Sequence, residues 1–317
     1  MRSDLLHATP PVVAAEWPSV VVPTDHPHAE AFVRAATHAG RNVPPAVYEA
    51  LTDFVDTPHR SGALLLREAP IGELPQTPAT PTTPTTKDHA SEFTLLTVAR
   101  LLGQPVGYEP EHGGDIVQQL VPVAGTETLQ VSTSSKVELM FHTEAAFHPH
   151  RPRYLLLLCL RGDASAVTTL SSIHEVLPLL PHDVRTTLFE PRFRTAVDES
   201  YLHGRPNLLG APMPVLAGDP HTPTMVFDAD LMVGTDEAAD DALRVLAQAV
   251  ASHRTGVVLE PGDLLVVDNA VAVHGRSPFT PRFDGFDRWL QRAFVVSDLR
   301  PSAAERNGRV IVTRFGA

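Results

Sequence analysis

The chain has 317 residues, 43% of them hydrophobic, and carries 25 basic against 37 acidic side chains for a formal net charge of -12. That length and apolar content allow a sizeable core in one large or two small domains and exclude a disordered or fibrous chain. The acidic balance argues against nucleic acid held on a basic surface, a single cysteine excludes an intramolecular disulfide or a cysteine-based zinc cluster, and no apolar run is long enough to cross a membrane.

Residues 1–7 lack the apolar core of a signal peptide, so a cytoplasmic location is expected. Apolar residues at helical spacing predict helices over 28–39 and 44–55, the second opened by Pro44 and Pro45. The run from Leu74 to Thr86 repeats proline every few residues, can be neither helix nor central strand, and predicts a surface loop. A third helix is predicted over 91–102, with Gly103 as its stop. Residues 1–114 therefore read as mostly helical.

From about Asp115 the pattern turns to short β-rich runs at 116–123, 137–141, 154–160, 167–170, 224–227, 264–267 and 288–296, separated by Gly and Pro. Cys159, within the run from Tyr154 to Leu160, reads as a core thiol rather than a nucleophile. Residues 236–252 interrupt the strands with helical spacing and predict a helix over the outside of a β core. The expected fold is α+β, mainly β: a double-stranded β-helix (jelly-roll) core over 115–300 with flanking helices, in one domain spanning 1–317.

His142 and Glu144 stand two apart, and on a strand they share a face. With His274 far downstream they would form a two-histidine, one-carboxylate set that leaves positions open on iron(II). With 16 histidines in the chain, the isolated pair by itself reads as a polar strand end rather than a metal site. Arg288, Leu290, Arg292 and Phe294 alternate along one later strand. Either that strand is an edge with both guanidinium groups in water, or it is buried and anions meet them.

The motifs His142-Thr143-Glu144-Ala145-Ala146-Phe147-His148, Arg151-Pro152-Arg153-Tyr154 with the leucine run after it, His274-Gly275-Arg276 and Arg288-Trp289-Leu290-Gln291-Arg292 resemble the clavaminate synthase-like branch of the iron(II)/2-oxoglutarate dioxygenases. The resemblance runs from roughly Pro70 to Arg300 and implies that His142, Glu144 and His274 bind Fe(II), with O2 and 2-oxoglutarate as co-substrates. It implies that Arg288 pairs with the distal carboxylate of 2-oxoglutarate, aided by the hydroxyl of Thr169 or its neighbour Thr168. A planar guanidinium suits that bidentate contact.

On the substrate side, the resemblance implies an α-carboxylate for Arg292 and Ser132, an α-amine contact for Gln118 or Gln119, and a far-end contact for Asp228. Asp230 would join Asp228 if its strand continued, and carboxylates there favour an ammonium, guanidinium or amide. Ser132, Asp228 and Asp230 read equally as turn residues. Residues 200–214 read as a lid or an ordinary loop. Glu144 argues against halogenation, which in relatives needs a small residue at that position. The expected function is hydroxylation of a free L-amino acid such as arginine or lysine, in specialised-metabolite biosynthesis. A carrier-tethered or other small substrate, or a non-catalytic binding protein, is the alternative. A zinc hydrolase is disfavoured by the absence of a His-Glu-x-x-His motif.

Overall fold

The structure, a computed structural model, describes residues 8–57, 59–202 and 205–315; residues 1–7, read above for a signal peptide, lie outside them. A nine-stranded sheet runs in the order Val12–Ala14, Ala63–Arg67, Leu264–Asp268, Tyr154–Arg161, Trp289–Val296, Gln104–Tyr108, Val310–Ile311 and Arg306–Asn307, with Val117–Leu120 also on Trp289–Val296. A four-stranded sheet has the order Thr255–Val258, Val167–Ser172, Ala272–Arg276 and Leu139–His142.

The continuous apolar runs of the central strands arise because both faces are covered. Leu156, Leu158 and Leu160, with Trp289, Ala293 and Val295, pack outward against the helices Glu30–Ala39, Pro45–Asp56 and Ala90–Leu102. Leu155, Leu157 and Cys159, with Leu290 and Phe294, point inward to Leu170 and Ala272 of the small sheet. Period-two alternation thereby turns the Arg288/Arg292 face inward. Helix Ala90–Leu102 ends against the same strand: a Cβ on Gly103 would lie 2.6 Å from the Val296 carbonyl oxygen.

The small sheet is closed from outside by helix Glu237–Ser252, whose Asp236 cap accepts from the Ala239 amide at 3.0 Å. Its buried stripe of Ala239, Ala242, Leu243, Leu246 and Val250 belongs to one cluster with Phe141 and Val273. Each such leucine or valine contributes about 1.5–3 kcal/mol by burial. Phe141 and Val273 outward leave His142 and His274 inward.

One expectation needs correction and another is refined. Residues 1–114 hold the three helices but also add Val12–Ala14, Ala63–Arg67 and Gln104–Tyr108 to the large sheet. A short run such as Ala63-Leu64-Leu65-Leu66 has no period that separates strand from buried helix. The proline-rich segment 74–86 has no helix or strand and lies mostly at the surface, as expected, but it is anchored to the core. Thr77 is buried and its hydroxyl donates to the Asp287 carbonyl at 2.8 Å, Arg161 donates to the Pro75 carbonyl at 2.7 Å, and Gln119 donates to the Thr83 hydroxyl at 2.9 Å.

Candidate active site

His142 and His274 are direct partners across two antiparallel strands, with ring centroids 4.3 Å apart. Glu144 arrives differently from expected, because the strand stops at His142 and Glu144 stands in the turn after it. That turn is pinned at both ends. Thr143 donates its amide to the Phe227 carbonyl at 2.7 Å and accepts from the Phe227 amide on its hydroxyl at 3.0 Å. The Asn269 side chain accepts from the Glu144 amide at 2.8 Å and donates to its carbonyl at 3.1 Å.

One ligand atom from each of His142, Glu144 and His274 lies within 4.8 Å of the others. Glu144 Oε2 is 3.4 Å from His274 Nε2 and 4.0 Å from His142 Nε2, and this buried oxygen has no hydrogen-bond partner among the described residues. His142 Nδ1 is 2.8 Å from the Met140 carbonyl, an acceptor, which assigns the proton to Nδ1 and leaves Nε2 as a lone pair. Burial and the neighbouring His142 push His274 down to about 4, against the pull of Glu144, so it is a neutral imidazole. Burial alone would raise the Glu144 carboxyl, but Arg292, His274 and His142 together hold it well below the usual range. Two imidazoles that turn Nε2 toward one another and toward a carboxylate with an orphaned oxygen fit iron(II).

Arg288 lies at one end of this chamber, 8% exposed, with no ion pair or hydrogen bond among the described residues. Burial pulls its pKa down, against Cys159 and Asp163. Its strand is paired on both sides, with Tyr154–Arg161 and with Val117–Leu120, so the edge-strand reading fails. A buried guanidinium without a carboxylate is costly until an anion meets it. Of the two threonines, the register places Thr168 on the inner face. His274 pairs with Leu170 and Arg276 with Thr168, whereas Thr169 pairs with Gly275 and lines an outer cavity with Glu138, Arg254 and Gly256. Thr169, the expected residue, thus faces away from the metal ligands.

Arg292 is not an unmatched cation. It donates to Gln118 Oε1 at 2.8 and 2.6 Å, to Glu144 Oε1 at 3.2 Å and to Glu111 Oε2 at 3.0 Å. Since Arg292 holds the Gln118 oxygen, the amide nitrogen, unpartnered among the described residues, offers a donor for a carboxylate and no acceptor for an amine. Gln119 faces the other way, its oxygen accepting from Trp289 Nε1 at 2.8 Å. Ser132 stands half-buried in a turn, while Ser134 and Ser135 beyond it are buried.

Asp228 is buried beside the metal pair, its backbone bridged to His142. Its Oδ1 accepts from the amides of Asp230 and Leu231 at 2.9 and 2.8 Å, and burial raises its carboxyl despite His142. Asp230 does not share its face: the strand ends at Met225, and Asp230 is an exposed turn residue. Within 200–214, residues 203 and 204 lie outside the described residues. Tyr201 and Leu202 before them belong to the inner core, and Asn207 holds Val197 through both side-chain atoms.

Four residues escaped sequence reasoning. Glu111 is pushed up to about 7 by burial and Glu144, against Arg292. Asp198 is pushed up to about 6 by burial, Asp228 and Glu144, against His142 and Arg292. The others are Asn269 and Arg276. Glu111, Asp198 and Asn269 stand in turns or loops, where no period betrays an inward side chain. Arg276 was visible only as part of the His-Gly-Arg motif.

Residues 49–294 match the family described as "Taurine catabolism dioxygenase TauD, TfdA family". The L-asparagine oxygenase of Streptomyces coelicolor is 39% identical, over 92% of this chain and 87% of its own length. The L-lysine 3-hydroxylase of Catenulispora acidiphila is also 39% identical, over 90% and 81%, and clavaminate synthase 2 of Streptomyces clavuligerus is 34% identical over 98% of both chains. Among solved structures, asparagine oxygenase with Fe(II), 2S,3S-3-hydroxyasparagine and succinate superposes with a TM-score of 0.86 at 39% identity, covering 91% of each chain. Non-heme iron oxygenase OrfP with Fe and alpha-ketoglutaric acid gives 0.79 at 33% identity, over 89% of this chain and 90% of that one. With these similarities and its histidine-glutamate-histidine site, the chain belongs to the TauD, TfdA dioxygenase family, in the clavaminate synthase-like branch of Fe(II)- and 2-oxoglutarate-dependent amino acid hydroxylases.

Proposed function

We propose that this protein hydroxylates a free L-amino acid with a basic side chain, arginine, lysine or a close relative. The observation that carries this is the pair Asp198 and Asp228, two acids near His142, Asp198 also near Glu144, that make no ion pair with a lysine or arginine among the described residues. A cation delivered by the substrate would relieve their mutual repulsion. A neutral amide such as asparagine is the second reading, favoured by the 39% identity to an asparagine oxygenase.

His142, Glu144 and His274 would hold the iron, which when bound supplies oxygen activation with 2-oxoglutarate. Arg288 is the proposed anchor for the distal carboxylate of that co-substrate, with Thr168 beside it. Arg292 takes one Glu144 oxygen and so directs the other to the metal. The Gln118 amide nitrogen, which neighbours Glu111, is the proposed donor to the α-carboxylate. The apolar inner wall, Leu157, Leu170 and Phe294 among it, keeps bulk water from the chamber.

We read the large and small sheets as the two walls of a double-stranded β-helix, residues 1–317 as one catalytic unit, and the cytoplasm, where free amino acids and 2-oxoglutarate meet, as its location. The deciding experiment is anaerobic loading with Fe(II) and 2-oxoglutarate, then oxygen, with mass spectrometry of pooled free amino acids. Gain of one oxygen on a basic amino acid is expected. Asp228→Asn should weaken kcat/KM for that substrate about tenfold or more and favour a neutral amide. Reaction of apolar amino acids alone would end the reading.

A further inference from the structure

Arg276 stands two residues after His274 on the same inward face, 4% exposed, and no carboxylate among the described residues pairs with it. Its guanidinium is spent on neutral acceptors. Nη1 donates to the Ser134 carbonyl at 2.6 Å, Nη2 to the Ser134 hydroxyl and the Val137 carbonyl at 3.1 Å each, and Nε to the Ser277 carbonyl at 3.1 Å. Three of these four contacts lie on the segment that leads into the strand Leu139–His142. That segment meets the His274 strand at a register shift, His142 facing His274 and Leu139 facing Arg276.

Phe279 joins this staple to the proposed co-substrate pocket. Its ring centroid is 5.0 Å from the Arg276 guanidinium carbon and 5.9 Å from that of Arg288, and its amide donates to the Ser135 carbonyl at 2.7 Å. Two buried cations therefore flank one aromatic ring. Each makes the other harder to keep, and an anion at Arg288 would shield both.

We propose that Arg276 and Phe279 are positioning residues that couple occupancy of the Arg288 pocket by 2-oxoglutarate to the order of residues 131–137. Neither touches the reacting atoms. Anion binding at Arg288 removes the repulsion across the Phe279 ring, and Arg276 then holds Ser134 and Val137 more firmly. This sets the entry to His142 before the amino acid arrives. The inference rests on the reading of Arg288 as the 2-oxoglutarate anchor.

The test is hydrogen exchange on the Fe(II)-loaded protein under nitrogen, with and without 2-oxoglutarate, beside calorimetric titration of 2-oxoglutarate. In the unaltered chain, amides of 131–137 should exchange about tenfold more slowly when 2-oxoglutarate is bound. Arg276→Lys keeps the charge but loses the fork, and Phe279→Leu stays apolar but loses the ring. Each should bind 2-oxoglutarate yet lose that slowing, and in oxygen release more succinate per hydroxylated product. 2-Oxoglutarate binding with unchanged exchange in the unaltered chain, or slowing retained in both variants, would overturn the coupling alone. No binding of 2-oxoglutarate at all would overturn the Arg288 reading and the coupling together.

Discussion

Glu144 Oε1 accepts from Arg292 Nη1 at 3.2 Å, so the metal-facing carboxylate is half neutralised from behind by a buried arginine. Both side chains are within 8% of full burial. Arg292→Met would leave Glu144 and Glu111 as unpaired buried acids, a loss of about 3–5 kcal/mol. Urea unfolding at neutral pH, with unchanged slope and a lowered midpoint, is the measurement; a variant as stable as the parent would contradict it.

Asn269 never reaches the metal, yet it holds the Glu144 backbone from both sides. Asn269→Ala should weaken Fe(II) binding about 10- to 100-fold. Anaerobic titration reads this directly, and unaltered affinity would remove Asn269 from the machinery.

The two adjacent threonines give a sharper contrast. Thr168→Val should raise the KM for 2-oxoglutarate several-fold, whereas Thr169→Val, on the outer face, should leave it near the parent value. The opposite ranking would mean that the strand register is off by one residue.

His148 gives the protein an acid liability. Burial, and then His150 and Arg151, push it down to about 3, against Glu305, while an unfolded histidine titrates near its ordinary value of 6.5. Between those values the unfolded chain carries a proton that the folded chain refuses. This stability is complete above pH 6.5 and is lost as the pH falls towards 3, at up to about 1.4 kcal/mol per pH unit. His148→Gln should flatten that part of the curve, measured by urea unfolding at pH 7.5 and 5.

Strand periodicity made the core strands and the shared face of Arg288 and Arg292 legible, whereas the metal set and the role of Arg288 came from the family resemblance. Tyr154–Arg161 and Trp289–Val296 are continuous apolar runs because both their faces are covered, and the arginine alternation on the second placed Arg288 and Arg292 together. The choice between Thr168 and Thr169 depended on pairing with a strand about a hundred residues away, which no local pattern carries. Arg292 looked short of an anion because Glu111, its partner, comes from a turn beside a short helix. Asp230 was misplaced for a related reason: backbone amides of the turn fold onto Asp228 and end the alternation.

Apart from Glu144, which stands in a turn held by Thr143 and Asn269, the proposed reaction machinery and the acids around it occupy different kinds of backbone. His142, His274, Arg292 and Thr168 are built into strands, with Arg288 adjoining one, while Glu111, Asp198 and Asp228 come from connections between elements. Connections tolerate replacement and insertion better than paired strands do. Substrate preference can therefore drift through a few loop substitutions while the oxidation chemistry is inherited intact, a route to relatives named for asparagine, lysine, arginine and ornithine on one scaffold.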